Sequence, residues 1–307
     1  MKRSDRIKGG IYGLLVGDAL GVPYEFHPPQ ELPGLADIEF DPPDNFCRSH
    51  EGILPGTWSD DGAQALVLLN SLLENDSFNI EHFAKGLVDW QAQGFMAVGG
   101  EVFDIGNQTA DSINQLKNGV SPKLSGGISE WSNGNGSLMR CLPLALWHRG
   151  SDEELIDLAF AQSSPTHRHP RAKLCCALYC LLARNILNEE DLPWEKAVHV
   201  LLGSTKNDAE KVELETKIRP HDEYEDISGS GYVVDSLHSA RWASTFSNYE
   251  FVVKAAVSLG NDTDTTACIA GGIAGISYGF SSIPGRWIND LKGKRIVEPL
   301  IERLLAI

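Results

Sequence analysis

Apolar residues recur at helical spacing through most of the chain. The segments Asp60 to Leu73, Ile80 to Gln91, Leu138 to His148, Asp152 to Ala161, Arg171 to Asn188, Val233 to Phe246 and Phe251 to Leu259 each carry a stripe repeating every three to four positions. Strand-like alternation is nearly absent. Glycines, prolines and the pairs Asn118-Gly119 and Asn133-Gly134 punctuate the stripes. The pattern predicts an all-α fold in one domain over residues 1–307. Ser204 to Ser230, rich in Lys, Glu, Asp and Gly with few apolar anchors, reads as an exposed connection or as a mobile flap. There is no internal repeat at solenoid spacing and no low-complexity tract.

Composition narrows the class. A chain that is 42% hydrophobic and 22% charged is that of an ordinary globular protein, which excludes a collagenous or wholly disordered one. A net charge of −16 argues against general nucleic-acid binding, which needs clustered Lys and Arg to displace counterions. An anionic ligand would need local help, and a divalent cation held by carboxylates is the simplest. The cysteines Cys47, Cys141, Cys175, Cys176, Cys180 and Cys268 include no CxxC pair, and four lie in apolar helical stretches, so they read as free thiols in a reducing compartment. Met1-Lys2-Arg3 followed by Ile11 to Gly17 imitates a signal peptide, but Asp18 cuts the apolar run. No run approaches the roughly 20 apolar residues that span a bilayer. A cytoplasmic protein without membrane insertion is expected.

Six segments carry candidate chemistry. Ser59-Asp60-Asp61 leads straight into a helix, where Ser59 makes a good N-cap and the helix dipole favours both acids. Asp262-Thr263-Asp264-Thr265 leads into a helix of small residues, Cys268 to Gly275. One capping acid would suffice there, whereas two carboxylates and a hydroxyl on a tight turn form the oxygen-only set that Mg²⁺ or Mn²⁺ prefers. Brought together, the two clusters would suit a binuclear site, and the repulsion of unpaired carboxylates is the physical reason to invoke cations. In the third segment, Gly10 to Phe26, glycines at helical spacing indicate a buried, closely packed helix stopped by Gly21 and Pro23. Burying an acid there is costly without a partner, so Asp18 reads as structural, bonded to nearby backbone. Glu25, just past the helix, is the better mobile ligand or base. Ser132-Asn133-Gly134-Asn135-Gly136-Ser137-Leu138-Met139-Arg140 is a glycine-rich turn opening a helix, able to cradle a phosphate but lacking the Lys-Ser/Thr ending of a P-loop. His167 and His169 have no further ligand at zinc spacing, so their loop reads as a ligand contact or helix cap. Tyr232, at the start of another helix, offers a ring for stacking or for the core.

In order along the chain, Gly17-Asp18-Ala19-Leu20-Gly21 with Glu25, Trp58-Ser59-Asp60-Asp61, Gly134 to Arg140, Thr166-His167-x-His169, Gly231 to Val234 and Gly260-Asn261-Asp262-x-Asp264-Thr265 resemble the landmarks of the ADP-ribosylglycohydrolase family. These helical enzymes include the dinitrogenase reductase activating glycohydrolases and the ADP-ribosylarginine and ADP-ribosylserine hydrolases. The resemblance implies a compact orthogonal helical bundle and two Mg²⁺ or Mn²⁺ ions, held by Ser59, Asp60, Asp61, Asp262, Asp264 and Thr265. Ser59 departs from the family's usual Thr but keeps an oxygen. The resemblance further places Asn135, Gly136 and Ser137 near the diphosphate, with Ser132 and Met139 of the same turn among the substrate-binding residues. It places His167 and Tyr232 near the rest of the ADP-ribose, and Glu25 on a movable loop. Gly99-Gly100 with Asp104-Ile105-Gly106 resembles a further site loop.

The activity so implied is removal of ADP-ribose from modified protein side chains by a monomeric enzyme. A water delivered by the metals, or held by Asp60 or Glu25, attacks the anomeric carbon, with Asp60, Asp61 and Glu25 as the catalytic acids. Direct displacement and a ring-opened route both fit. An acidic surface would attract a cationic guanidinium leaving group, which favours an arginine linkage over serine. The rivals are a non-catalytic ADP-ribose-binding member of the same fold and a metal-dependent phosphohydrolase.

Overall fold

The computed structural model of the chain describes residues 1–205, 207–224 and 227–307. Among them are fourteen α-helices and no strand; two isolated bridges join Gly127 to His167 and Gly134 to Tyr232. In chain order the helices are α1 (Arg3–Gly21), α2 (Asp60–Asn75), α3 (Ile80–Gln93), α4 (Asn107–Lys117), α5 (Leu142–Trp147), α6 (Asp152–Ser163), α7 (Pro170–Leu187), α8 (Pro193–Ser204), α9 (Asp208–Glu213), α10 (Val233–Ala243), α11 (Tyr249–Val257), α12 (Thr263–Tyr278), α13 (Gly285–Asp290) and α14 (Lys294–Leu305).

Helix α1 and helix α12 make the most extensive pairing in the molecule. The cause is small residues on both. A Cβ added at Gly9, Gly13 or Gly17 would collide with the backbone carbonyls of Gly275, Gly271 or Ala267, and one at Gly271 or Gly275 would strike the carbonyls of Gly13 or Gly9. At the end of this seam Gly21 faces the backbone of Asp264 with no room for a side chain. The close approach expected of each glycine-bearing helix is therefore made by one to the other. Helix α7 adds Cys175, Cys176 and Cys180 to the core; five of the six cysteines are buried, Cys47 is exposed, and all six are free. No helix among the described residues is long and apolar enough to cross a membrane.

Elsewhere the elements depart from the periodicity. The segment after Gly136 continues as turns until Leu142, and Pro143 then sits in the first turn of α5, so the helix expected from Leu138 starts later. Helices α4, α8, α9, α13 and α14 lie outside the segments read from the pattern; in α14 the apolar stripe Val297, Leu300, Ile301 and Leu304 runs unbroken past Pro299, which sits on the exposed face. Of the expected connection Ser204 to Ser230, residues Lys206, Glu225 and Asp226 lie outside those described. The rest carries α9 and a wide helical turn, Leu214–Ile218, whose Leu214 and Ile218 are fully buried.

Candidate active site

Helix α2 begins where Ser59 Oγ accepts the Asp61 N–H at 3.3 Å. A second acceptor comes from α1: Asp18 Oδ1 takes the Ser59 N–H at 2.8 Å and its Oδ2 takes the Gly62 N–H at 2.7 Å. Asp18 is thus bonded to backbone and pins the start of α2 against α1. Helix α12 brings Asp262, Asp264 and Thr265 to the same place, and Thr265 Oγ1 donates to Asp61 Oδ1 at 3.2 Å.

The outcome is a buried cluster of acids. Oxygens of Asp18, Asp61 and Asp264 lie within 4.8 Å of one another, as do those of Glu25, Asp262 and Asp264. Asp61 Oδ2 and Asp264 Oδ2 are buried without a hydrogen-bond partner. Burial first, then the neighbouring carboxylates, raises the pKa of Asp61, Asp264, Asp60 and Glu25. A hard divalent cation answers both features: it supplies the missing partner of the orphaned oxygens and cancels the repulsion, and the surrounding donors are oxygens. Ser59 serves as a cap, while Asp60, Asp61, Asp262, Asp264 and Thr265 carry the oxygens around the cluster.

Above the acids opens a cleft of about 330 Å³. Of the residues singled out in the sequence, Glu25, Asp60, Asn135, Gly136, Met139, His167, Asp262 and Thr265 line it. Asn135 Nδ2 donates to Asp262 Oδ2 at 2.8 Å, joining the glycine-rich turn to the acids. Ser137 turns into the core, where its hydroxyl accepts from Ser163 Oγ at 2.8 Å. Ser132 pairs with Ser129, and the Tyr232 hydroxyl accepts from Arg171 Nη1 at 3.1 Å. Gly99 and Gly100 are exposed with φ of 65° and 77°. None of these five lines the cleft.

Several neighbours are given no individual role by the sequence, although Asp104 belongs to the Asp104-Ile105-Gly106 segment that resembles a site loop. Asp104, in the left-handed region at φ 57°, lines the cleft, with a carboxylate oxygen within 4.8 Å of Glu25 and His50. His50 Nε2 lies 2.7 Å from Glu25 Oε2, packed beside the rings of Phe26 and Phe103. Phe26 and Asn261, both with positive φ, are tied together: Phe26 N–H donates to Asn261 O at 2.6 Å and Asn261 N–H to His27 O at 2.7 Å. The Glu25 loop is thereby fixed to the Asp262 turn by strained backbone. Trp131, 96% exposed, stands at the rim. Below the cleft floor Arg140 is fully buried and bonded to Gln64, Gln162 and Thr166. Burial and then the Arg140 charge push the fully buried His167 down to about 3, so its ring is neutral.

Comparison with known proteins adds three findings. Residues 1–307 match the sequence model of the ADP-ribosylglycohydrolase family. An ADP-ribosylarginine hydrolase of Serratia proteamaculans (strain 568) is 31% identical over 311 residues, covering 98% of this chain and 79% of its own length, and the ADP-ribosyl-dinitrogen reductase glycohydrolase of Rhodospirillum rubrum is 28% identical over 316 residues, covering 99% and 96%. A solved structure described as an ADP-ribosylglycohydrolase-related protein complex matches with a TM-score of 0.77 at 28% identity, covering 99% of this chain and 98% of that one.

Proposed function

The chain belongs to the ADP-ribosylglycohydrolase family, and on that premise we propose that it removes ADP-ribose from arginine side chains of modified proteins, using two Mg²⁺ or Mn²⁺ ions held by Asp60, Asp61, Asp262, Asp264 and Thr265, with Ser59 at the edge of the set. The carrying observation is that two Asp-bearing turns from opposite ends of the chain meet in one buried cluster that leaves Asp61 Oδ2 and Asp264 Oδ2 without partners. When bound, the cations supply Lewis-acid polarisation of the ribose hydroxyls and neutralise the acids beneath them.

The chain's own residues do the rest. As the glycosidic bond loosens, positive charge grows on the ribose, and a wall carrying Asp60, Asp262, Asp104 and Glu25 favours it. Asp60 and Glu25 are the acceptors placed to hold the attacking water. The C–N bonding pair leaves on the guanidine, the water oxygen takes its place on the anomeric carbon, and the proton released by water passes through the carboxylate to the departing guanidine. Arginine is favoured over serine because the relative from Serratia proteamaculans is named for arginine and the chain's charge of −16 attracts a cationic aglycone. Arginine-linked and serine-linked ADP-ribosyl proteins offered side by side, with free ADP-ribose as readout, test the choice: release from the arginine-linked protein is expected, and release only from the serine-linked one overturns it.

A further inference from the structure

We propose that Arg140 is a positioning residue that fixes proton placement on both walls of the cleft: through Thr166 it selects the His167 tautomer with hydrogen on Nε2, and through Gln64 it directs an amide N–H onto Asp60. The proposal rests on the ADP-ribose reading only for the identity of the ligand; the proton positions follow from the protein alone.

A guanidinium has five N–H donors and no acceptor, so whatever atom it touches must accept. Arg140 Nη1 lies 2.7 Å from Gln64 Oε1, which identifies the oxygen end of that amide. The other end, Nε2, then donates to Asp60 Oδ2 at 2.8 Å. A flipped amide would set NH₂ against the guanidinium and oxygen against the carboxylate. Gln64 therefore occupies Oδ2 of Asp60 and turns Oδ1 into the carboxylate's other, open oxygen. Burial pushes Arg140 down only to about 10, so it stays charged at neutral pH.

The second arm runs the same way. Arg140 Nη2 donates to Thr166 Oγ1 at 2.7 Å, and Thr166 Oγ1 lies 2.9 Å from His167 Nδ1. Thr166 and His167 are both buried. With its oxygen accepting from Arg140, the hydroxyl has one hydrogen to place, and Nδ1 is the acceptor within reach; hydrogen on Nδ1 would leave that hydroxyl hydrogen buried without one. Nδ1 thus keeps its lone pair and Nε2 carries the hydrogen. A Cβ built on Gly134 or Gly136 would stand 3.6 or 3.5 Å from Nε2, so this edge of the ring faces the glycine-rich turn that lines the cleft. Among the described residues Nε2 has no protein partner. His167 is accordingly a neutral hydrogen-bond donor for an acceptor oxygen of the ligand, and its cleft-facing nitrogen has no lone pair with which to act as a base.

The direct test is nitrogen-15 NMR of the histidine rings in the ligand-free protein near neutral pH, with His167 assigned by its loss in His167→Asn. Hydrogen on Nε2 and a bare Nδ1 are expected; hydrogen on Nδ1, or on both nitrogens, overturns the proposal. Two further measurements separate the arms. Calorimetry with ADP-ribose should give roughly five- to tenfold weaker binding for Thr166→Val, with Thr166→Ser within about twofold of the parent; unchanged affinity in Thr166→Val removes the Thr166 arm. Titration with Mn²⁺ alone should give about tenfold weaker binding for Gln64→Met, and an unchanged affinity removes the Gln64 arm. Failure of the parent protein to bind ADP-ribose would overturn the reading of the cleft, while the NMR result still decides the tautomer.

Discussion

The Thr265 hydroxyl donates to Asp61 Oδ1 at 3.2 Å, joining helices α12 and α2 across 204 positions of sequence. Helix α1 makes this contact possible. Its glycines let α12 approach to backbone contact, and its Asp18 holds the first turn of α2 by two backbone N–H groups. Scaffold and site are set by the same helix, because the glycine seam ends at Gly21 against the backbone of Asp264.

The same substitution should have opposite effects at two glycines. In Gly17→Ala the new methyl meets the Ala267 carbonyl, and a loss of about 1–3 kcal/mol is expected. In α8, Gly203 has open space around its Cβ position and ordinary helical backbone, so Gly203→Ala should gain about 0.5–1 kcal/mol. Urea midpoints decide it; equal shifts in the same direction would show that close approach does not limit the α1–α12 seam.

Removing an acid from the cluster should separate stability from function. Asp264→Asn relieves repulsion among carboxylates that burial already disfavours, so in chelator the variant should melt higher than the parent. With excess Mg²⁺ or Mn²⁺ the order should reverse, since a cation about a hundredfold above its Kd adds roughly 3 kcal/mol to a protein that binds it. Turnover should be lost in Asp264→Asn and Asp61→Asn alike. A variant that unfolds in chelator while the parent does not would make these acids structural first.

Much of this site was legible in the chain because the chemistry is local. Ser59-Asp60-Asp61 and Asp262-x-Asp264-Thr265 put their oxygens on single turns, and the glycine spacing of α1 announced a close neighbour without saying which. Asp104 was legible only as a member of the loop Asp104-Ile105-Gly106, with no role of its own, for the opposite reason. Its carboxylate reaches the cluster only through a left-handed backbone at φ 57°, which an Asp-Ile-Gly sequence does not dictate. His50 meets Glu25 through a loop with no periodicity. Ser137 sat in the right motif but, since the turns run on to Leu142, its hydroxyl faces α6 rather than the cleft. Ser204 to Ser230 looked too polar to fold down, yet two residues four apart, Leu214 and Ile218, suffice to anchor a helical turn.

His167 should make the protein acid-sensitive in a defined window. Its folded pKa of about 3 lies below the ordinary value, so the unfolded chain takes up a proton that the folded ring refuses. The stability at issue is fully present above about pH 6.5 and is lost as pH falls toward 3, amounting to about 2 kcal/mol by pH 5. His167→Asn should therefore lose less stability than the parent between pH 7 and pH 5. Parallel losses, read from urea midpoints, would mean that His167 is protonated in the folded state.

Glu25→Gln should slow turnover more than it weakens ADP-ribose binding, because a group that accepts a proton from water acts in the transition state rather than on the bound ligand. A drop in kcat of about a hundredfold or more with Kd within about threefold is the expected split, within the range for general base catalysis. Equal losses in both quantities would reduce Glu25 to a ligand contact.

This cluster of acids should work only with divalent cations in it. The most direct measurement follows release of free ADP-ribose from an arginine-linked ADP-ribosyl protein by enzyme stripped with EDTA, then resupplied with Mg²⁺ or Mn²⁺. Hydrolysis should vanish in chelator and return with either ion, in step with metal content by elemental analysis. Full hydrolysis by metal-free protein would contradict the account.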